Sequence, residues 1–170
     1  RRDSTLSRLI DSLFQIEGAY ALTILTNKKL IGARDPLGIR PLVLGQLDGR
    51  HILASETCAL DIIGAQFIRE IENGEIVIIT EDGLESIKPF SPKNSRPCIF
   101  EYIYFARPDS IVGGRSVYEY RKALGTQLAI ESPVDSDIII PVPDSGVPAA
   151  IGYAETSKIS FELGIIRNHY

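Results

Sequence analysis

Apolar positions in the first seventeen residues fall at Leu6, Leu9, Ile10, Leu13 and Phe14, a three-and-four spacing that places them on one face of a helix over residues 3–17. Gly18 ends it. Short apolar runs then predict strands at "AYALTIL" (19–25), "LIGAR" (30–34), "PLVLG" (41–45) and "HILAS" (51–55). Turn signals separate them: Asn27-Lys28, "DPLG" at 35–38 and Asp48-Gly49. Connections this short favour antiparallel neighbours, because a parallel pair needs a long crossover. A short helix is expected over "TCALDIIGA" (57–65), followed by a hairpin of "EIVIIT" and "LESIK" around Glu81-Asp82-Gly83. The first half therefore reads as an α+β layer of hairpins beside helices.

The pattern changes at "KPFSPKNSRPC" (88–98), where prolines and serines mark a connection. An aromatic segment follows, "CIFEYIYFARPDS". Ser116 then opens "SVYE", a capping-box pattern in which Glu119 can reach back to the Ser116 amide. The helix it starts runs to about Glu131, with an apolar stripe through Val117, Leu124 and Leu128. Next comes "DIIIPV", an uninterrupted apolar strand, then a "PDSG" loop, a helix over about 147–157 and a strand "ISFELGII". Strand, helix and strand with a continuously apolar first strand predict a βαβ unit in a buried parallel sheet. The two halves read as different domains.

Composition narrows the classes. With 170 residues, 44% of them hydrophobic, the chain can bury a real core. A net charge of −4 gives no electrostatic reason to expect nucleic acid or an anionic membrane as partner. No apolar run approaches the roughly 20 residues that span a bilayer, and no signal peptide is recognisable. Two cysteines, Cys58 and Cys98, form no disulfide framework and favour a reducing cytoplasm. The chain opens with Arg1-Arg2, contains no methionine and stops at Tyr170 after an apolar run, so it reads as part of a longer protein.

The candidate chemistry centres on Pro143, Asp144, Ser145 and Gly146. A loop feeding a helix N-terminus presents unpaired N–H groups and the positive end of the helix dipole to an anion. Pro143, Gly146 and Pro148 restrict the loop, and Gly146 would let a ligand approach the backbone. The plainer alternative is that Asp144 or Ser145 caps the helix. Neither a Walker nor a dinucleotide fingerprint is present. A bare carboxylate beside a phosphate is repulsive, so Asp144 fits better if magnesium bridges the ligand to the protein, with Ser145 supplying an oxygen. Cys98 is a candidate metal ligand but reads more simply as packing, and Cys58 as core. His51 lies in a predicted strand and His169 near the chain end; neither is poised as a base. An Asp–Arg pair within "RDPLGIR" (34–40) would hold a hairpin. The tyrosines of "EYIYF" read either as core or as the lining of an apolar passage.

In this order and spacing, "GAYALTIL", "RDPLGIRPLVLG", "ASETCALDIIGA", "CIFEYIYFARPDS" and "IIIPVPDSGVPAAIGYA" resemble amidophosphoribosyltransferases, the glutamine-dependent enzymes that open purine biosynthesis. The resemblance covers essentially the whole chain. It implies the later part of an N-terminal-nucleophile glutaminase domain, an αββα sandwich, over residues 1–90. It further implies the start of an α/β type I phosphoribosyltransferase domain over 91–170. The implied activity transfers glutamine-derived ammonia to phosphoribosyl pyrophosphate, giving phosphoribosylamine, glutamate and pyrophosphate. No counterpart of the family's terminal cysteine nucleophile is found in the chain, so no catalytic residue is assigned. Pro143, Asp144, Ser145 and Gly146 resemble the pyrophosphate loop, with Ser145 at the position of a magnesium ligand. Arg167 resembles the start of the mobile substrate loop, where many members have lysine. Tyr104 and Tyr170 match positions lining the ammonia passage. Cys98 aligns with the first ligand of the [4Fe–4S] cluster that some members hold. Purine nucleotide inhibitors and a homo-oligomeric full-length protein are also implied, and a catalytically inactive nucleotide-binding module of the same fold is the alternative.

Overall fold

The computed structural model describes residues 4–168 and divides into two compact units. The first comprises the chain up to Ser55 together with Ala59–Cys98; the second comprises Glu56–Cys58 and the chain from Ile99 onward.

In the first unit, helix α1 (Ser4–Leu13) covers a four-stranded sheet built from β1 (Ala21–Leu25), β2 (Leu30–Arg34), β6 (Ile76–Thr80) and β7 (Gly83–Ile87), in that spatial order. All pairings are antiparallel, as the short turns predict. Alternation along β6 shows how the layers form. Ile76 and Ile78 join Leu13, Tyr20, Ile31 and Ala33 in a core under α1, against which Leu6, Leu9 and Ile10 pack. Val77 and Ile79 point the other way, into a second core with Leu42, Leu44, Ile71 and Leu53. That core lies between the first sheet and a second one, β4 (Arg50–Ala54), β3 (Val43–Leu47) and β5 (Gln66–Glu70). On the far face of the second sheet, Val43 meets Leu60 of α2 (Thr57–Ile62) and Ala65. The layers therefore run α, β, β, α, the sandwich that the resemblance implies for this half.

Several sequence expectations change here. The first helix ends at Leu13 rather than residue 17. Strand β5 is not marked by the sequence pattern: "QFIRE" lacks clean alternation, and its pairing with β3 is interrupted by a register shift at Leu44/Gly45. The "RDPLGIR" turn is held through its backbone. The fully buried Asp35 carboxylate accepts from the backbone amides of Leu37, Ile39 and Arg40, while Arg34 donates to the carbonyls of Arg40, Gly38 and Ile71. The proline-rich 88–98 stretch packs within the first unit. Phe90 packs on Phe14 with ring centroids 4.8 Å apart, and the amides of Arg96 and Cys98 donate to Leu37 and Ile39 carbonyls.

In the second unit, a one-turn π-helix (Glu101–Phe105) leads through a small hairpin of β8 (Ile111–Val112) and β9 (Arg115–Ser116) into α3 (Val117–Glu131). Ser116 caps α3, its hydroxyl accepting the Glu119 amide at 3.3 Å. The strands β10 (Ile138–Ile139) and β11 (Ser160–Phe161) pair in parallel with α4 (Val147–Ser157) between them, the expected βαβ unit. Its first strand is short, and Ile138, Ile140 and Val142 remain exposed rather than buried. The stripe that α3 buries is also displaced from the expected one. Val117, Arg121, Gly125 and Ala129 are buried, whereas Leu124 and Leu128 are exposed. The reason is backbone contact: a Cβ on Gly125 would lie 1.8 Å from the Ala149 carbonyl, and one on Gly152 would lie 2.0 Å from the Lys122 carbonyl. Both glycines let α3 and α4 meet without an intervening side-chain layer.

Candidate functional site

The "PDSG" loop leaves β10 and enters α4 through a tight internal turn. The Gly146 amide donates to the Val142 carbonyl at 3.1 Å, and the Val147 amide to the Asp144 carbonyl at 3.3 Å. The Pro143–Asp144 peptide is cis. Gly146 has an ordinary helical φ of −79°, so it is not needed for a left-handed turn. It is needed because a Cβ there would sit 2.6 Å from the Val142 carbonyl oxygen. The close approach is thus to the loop's own backbone, not only to a ligand.

Residue Gly146 occupies the N-cap of α4, and no side chain caps that end. Neither Asp144 nor Ser145 therefore serves the helix in the way an ordinary capping residue does. Asp144 instead accepts from Arg167, Nη1 to Oδ2 at 3.4 Å, with both side chains about two-thirds exposed. An exposed pair at that distance is weak, so the carboxylate can readily change partners.

Opposite this loop runs the "FARPDS" segment, whose backbone is held from several directions. Arg121, only 3% exposed, reaches from α3 to donate Nη2 to the Ala106 carbonyl at 2.8 Å and Nε to the Tyr102 carbonyl. Burial pulls the pKa of Arg121 below the usual guanidinium value. Glu56 accepts from the Arg107 amide and from Ser110 Oγ, each at 2.8 Å, and Thr57 Oγ1 accepts from the Ile111 amide. The Arg107 side chain makes a two-point fork with Asp109, at 3.0 and 2.9 Å. Hydrogen bonding within that fork raises the pKa of Arg107 and lowers that of Asp109.

Together these segments enclose a cleft of about 810 Å³ lined by Tyr104, Phe105, Ala106, Arg107, Pro108, Arg121, Pro143, Asp144, Ser145 and Arg167. Five of the residues singled out in the sequence, Pro143, Asp144, Ser145, Arg167 and Tyr104, are thus brought to one place, while Gly146 lies behind the lining. Tyr104 is 66% exposed, so the core reading of "EYIYF" does not hold for it; Ile103 and Phe105 are exposed as well. Tyr170 and His169 lie outside the described residues. The roles of Arg107 and Arg121 escaped the sequence reading. An arginine in mid-helix reads by default as solvated, and Pro108 after Arg107 is the one local signal of a constrained loop. A second groove, of about 520 Å³, is lined by Leu124, Leu128, Val134, Ile139 and neighbours, carries no charged group, and offers no acid–base chemistry.

Among the described residues no group of three or more His, Cys, Asp or Glu side chains is placed to hold a metal. Cys58 is buried, and that burial pushes its thiol pKa up; Cys98 is half-buried, and both thiols are free. These two cysteines cannot by themselves supply the four thiolates of a [4Fe–4S] cluster.

An α-β-β-α sandwich followed by this cleft defines a class, and comparison with known proteins agrees with it: residues 5–61 match the glutamine amidotransferase domain family. The particular relatives are amidophosphoribosyltransferases. That of Rhizobium etli is 61% identical over 100% of this chain and 35% of its own length, and that of Synechocystis is 52% identical over 95% and 33%. A solved glutamine phosphoribosylpyrophosphate amidotransferase from B. subtilis, complexed with ADP and GMP, superposes with a TM-score of 0.93 at 46% identity, covering 98% of this chain and 37% of that one. The resemblance read from the motifs is borne out. Along its whole length the chain is homologous to amidophosphoribosyltransferases, and it spans about a third of the length of the relatives it matches.

Proposed function

We propose that this chain is part of an amidophosphoribosyltransferase, and that its cleft binds the pyrophosphate end of phosphoribosyl pyrophosphate. In that reaction ammonia from glutamine attacks the ribose C1 as the C1–O bond to pyrophosphate breaks, so phosphoribosylamine and pyrophosphate leave. Residues from Ile99 onward would be the first part of a type I phosphoribosyltransferase domain, and the αββα unit the later part of the glutaminase domain. One observation carries the reading: the "PDSG" loop, uncapped by its own side chains, faces the "FARPDS" loop across a single cleft.

Magnesium fits the oxygen donors present. The Ser145 hydroxyl does not cap α4, and among the described residues the Asp144 carboxylate pairs with an exposed arginine, so both can turn to a hard cation. A bound magnesium ion would neutralise pyrophosphate charge. The chain's own residues would orient the ligand: the Asp144 and Ser145 amides, which the loop's internal turn does not use, meet its anionic oxygens, and Tyr104 presents an apolar wall. Nothing in the two-cysteine set supports a cluster held by this chain alone. The cytoplasm remains the proposed location, in keeping with two free thiols. A nucleotide-binding regulatory module is the second reading, favoured by the ADP and GMP in the B. subtilis structure.

The test is Ser145→Ala in the complete enzyme. A lost ligand or charge-assisted hydrogen bond costs about 1.5–3 kcal/mol, or roughly ten- to a hundredfold in kcat/KM for phosphoribosyl pyrophosphate. Glutamine hydrolysis measured without that substrate should stay nearly unchanged. Intact transferase constants would refute the pyrophosphate-loop reading, and a defect confined to purine nucleotide inhibition would favour the regulatory one.

A further inference from the structure

Arg107 stands out among the cleft's arginines because its position is fixed while its charge remains deliverable. Arg121 is spent on the carbonyls of Tyr102 and Ala106, and Arg167 faces Asp144. The backbone at Arg107 is pinned on both sides: its amide donates to Glu56 at 2.8 Å, and its carbonyl accepts the Ser110 amide at 3.0 Å. Pro108 follows it, and the Pro108 carbonyl accepts the Tyr118 amide at 3.0 Å. The Asp109 fork occupies Nε and Nη2 and so sets the plane of the guanidinium, leaving the Nη1 edge available. The two-point fork with Asp109 restrains this side chain before any ligand arrives, although it is 60% exposed. Asp109 does not line the cleft, whereas Arg107 does.

We infer that Arg107 is a specificity-determining residue that contacts a phosphoryl group of the substrate across the cleft from Ser145, with Asp109 as its positioning residue. The inference rests on the proposed pyrophosphate-loop reading. A planar, forked donor suits a phosphoryl group better than a point charge does, so lysine should replace it poorly.

The experiment uses the complete enzyme with ammonia supplied directly as nitrogen donor, so that only the transferase step is read. Arg107→Gln should raise KM for phosphoribosyl pyrophosphate at least tenfold and Arg107→Lys nearly as much. Asp109→Asn should raise it two- to fivefold, with kcat less affected in each case. Glutamine hydrolysis without the pentose substrate should be unaltered, which a general loss of folding would not allow. Unchanged KM in Arg107→Gln alongside a defect in Ser145→Ala overturns this inference alone. Full rescue by Arg107→Lys overturns the forked contact. Unchanged constants in Ser145→Ala overturn the underlying reading, and this inference with it.

Discussion

Replacing Glu75 by glutamine removes a buried charge that several donors address at once. Its carboxylate, in a residue only 1% exposed, accepts both Nη atoms of Arg69 at 2.7 and 2.8 Å, and Ser86 Oγ and the Glu72 amide at 2.6 Å each. Burial alone would push the pKa up, but the hydrogen bonds from Arg69, Ser86 and Glu72 outweigh it and hold the carboxyl at about 2, against an ordinary 4.5. A depressed folded-state pKa contributes stability above the unfolded pKa and loses it as pH falls through the folded value. That contribution is about 3 kcal/mol at pH 7, about 1.5 kcal/mol at pH 3 and close to nothing at pH 1. Glu75→Gln has no such dependence. The stability gap between the two proteins should therefore shrink by about 2 kcal/mol between pH 7 and pH 3. Urea unfolding at both pH values, read from amide protection of β2 and β6 in the same unit, measures it, and other carboxylates cancel in the difference. A gap of equal size at pH 7 and pH 3 would refute the reasoning.

Two further outcomes follow from packing. Gly125→Ala forces a methyl group into the Ala149 carbonyl and should lower stability by about 1–3 kcal/mol, whereas Gly114→Ala, which meets nothing within 4 Å but has a φ of 74°, should cost less; thermal melts rank the two. Alkylation by iodoacetamide at pH 8, followed by peptide mass spectrometry, should label the half-buried Cys98 well before Cys58, whose thiol is buried and pushed up; equal rates would show that the Cys58 site opens freely.

The fold was legible where the sequence stated a period or a cap. Helix α3 begins at Ser116 as the "SVYE" pattern predicts, and the strand–helix–strand order of the second half appears as a parallel pair around α4. The α-β-β-α layering, by contrast, came from family resemblance: hairpins alone do not say how two sheets stack. Leu124 and Leu128 misled because helix burial follows the neighbour, and here the neighbour's backbone comes so near Gly125 that no side chain fits at the closest point. At the site, the loop residues 143–146 were visible as a proline- and glycine-bounded strand-to-helix turn. Arg107 and Glu56 were not, since they are distant in sequence and the hydrogen bond joining them is purely tertiary.

A single π turn has too few hydrogen bonds of its own to persist in water, and Glu101–Phe105 displays Ile103, Tyr104 and Phe105 to solvent rather than burying them. Arg121 resolves this by lending the turn two donors from the middle of α3. Unwinding the turn would strand a buried guanidinium, so the turn and the helix must open as one cooperative unit. Amide exchange of Ala106, which bonds back to the Glu101 carbonyl, should then share the opening free energy of the α3 interior instead of that of a surface loop. The aromatic wall of the cleft thereby inherits the rigidity of a fifteen-residue helix to which it does not belong.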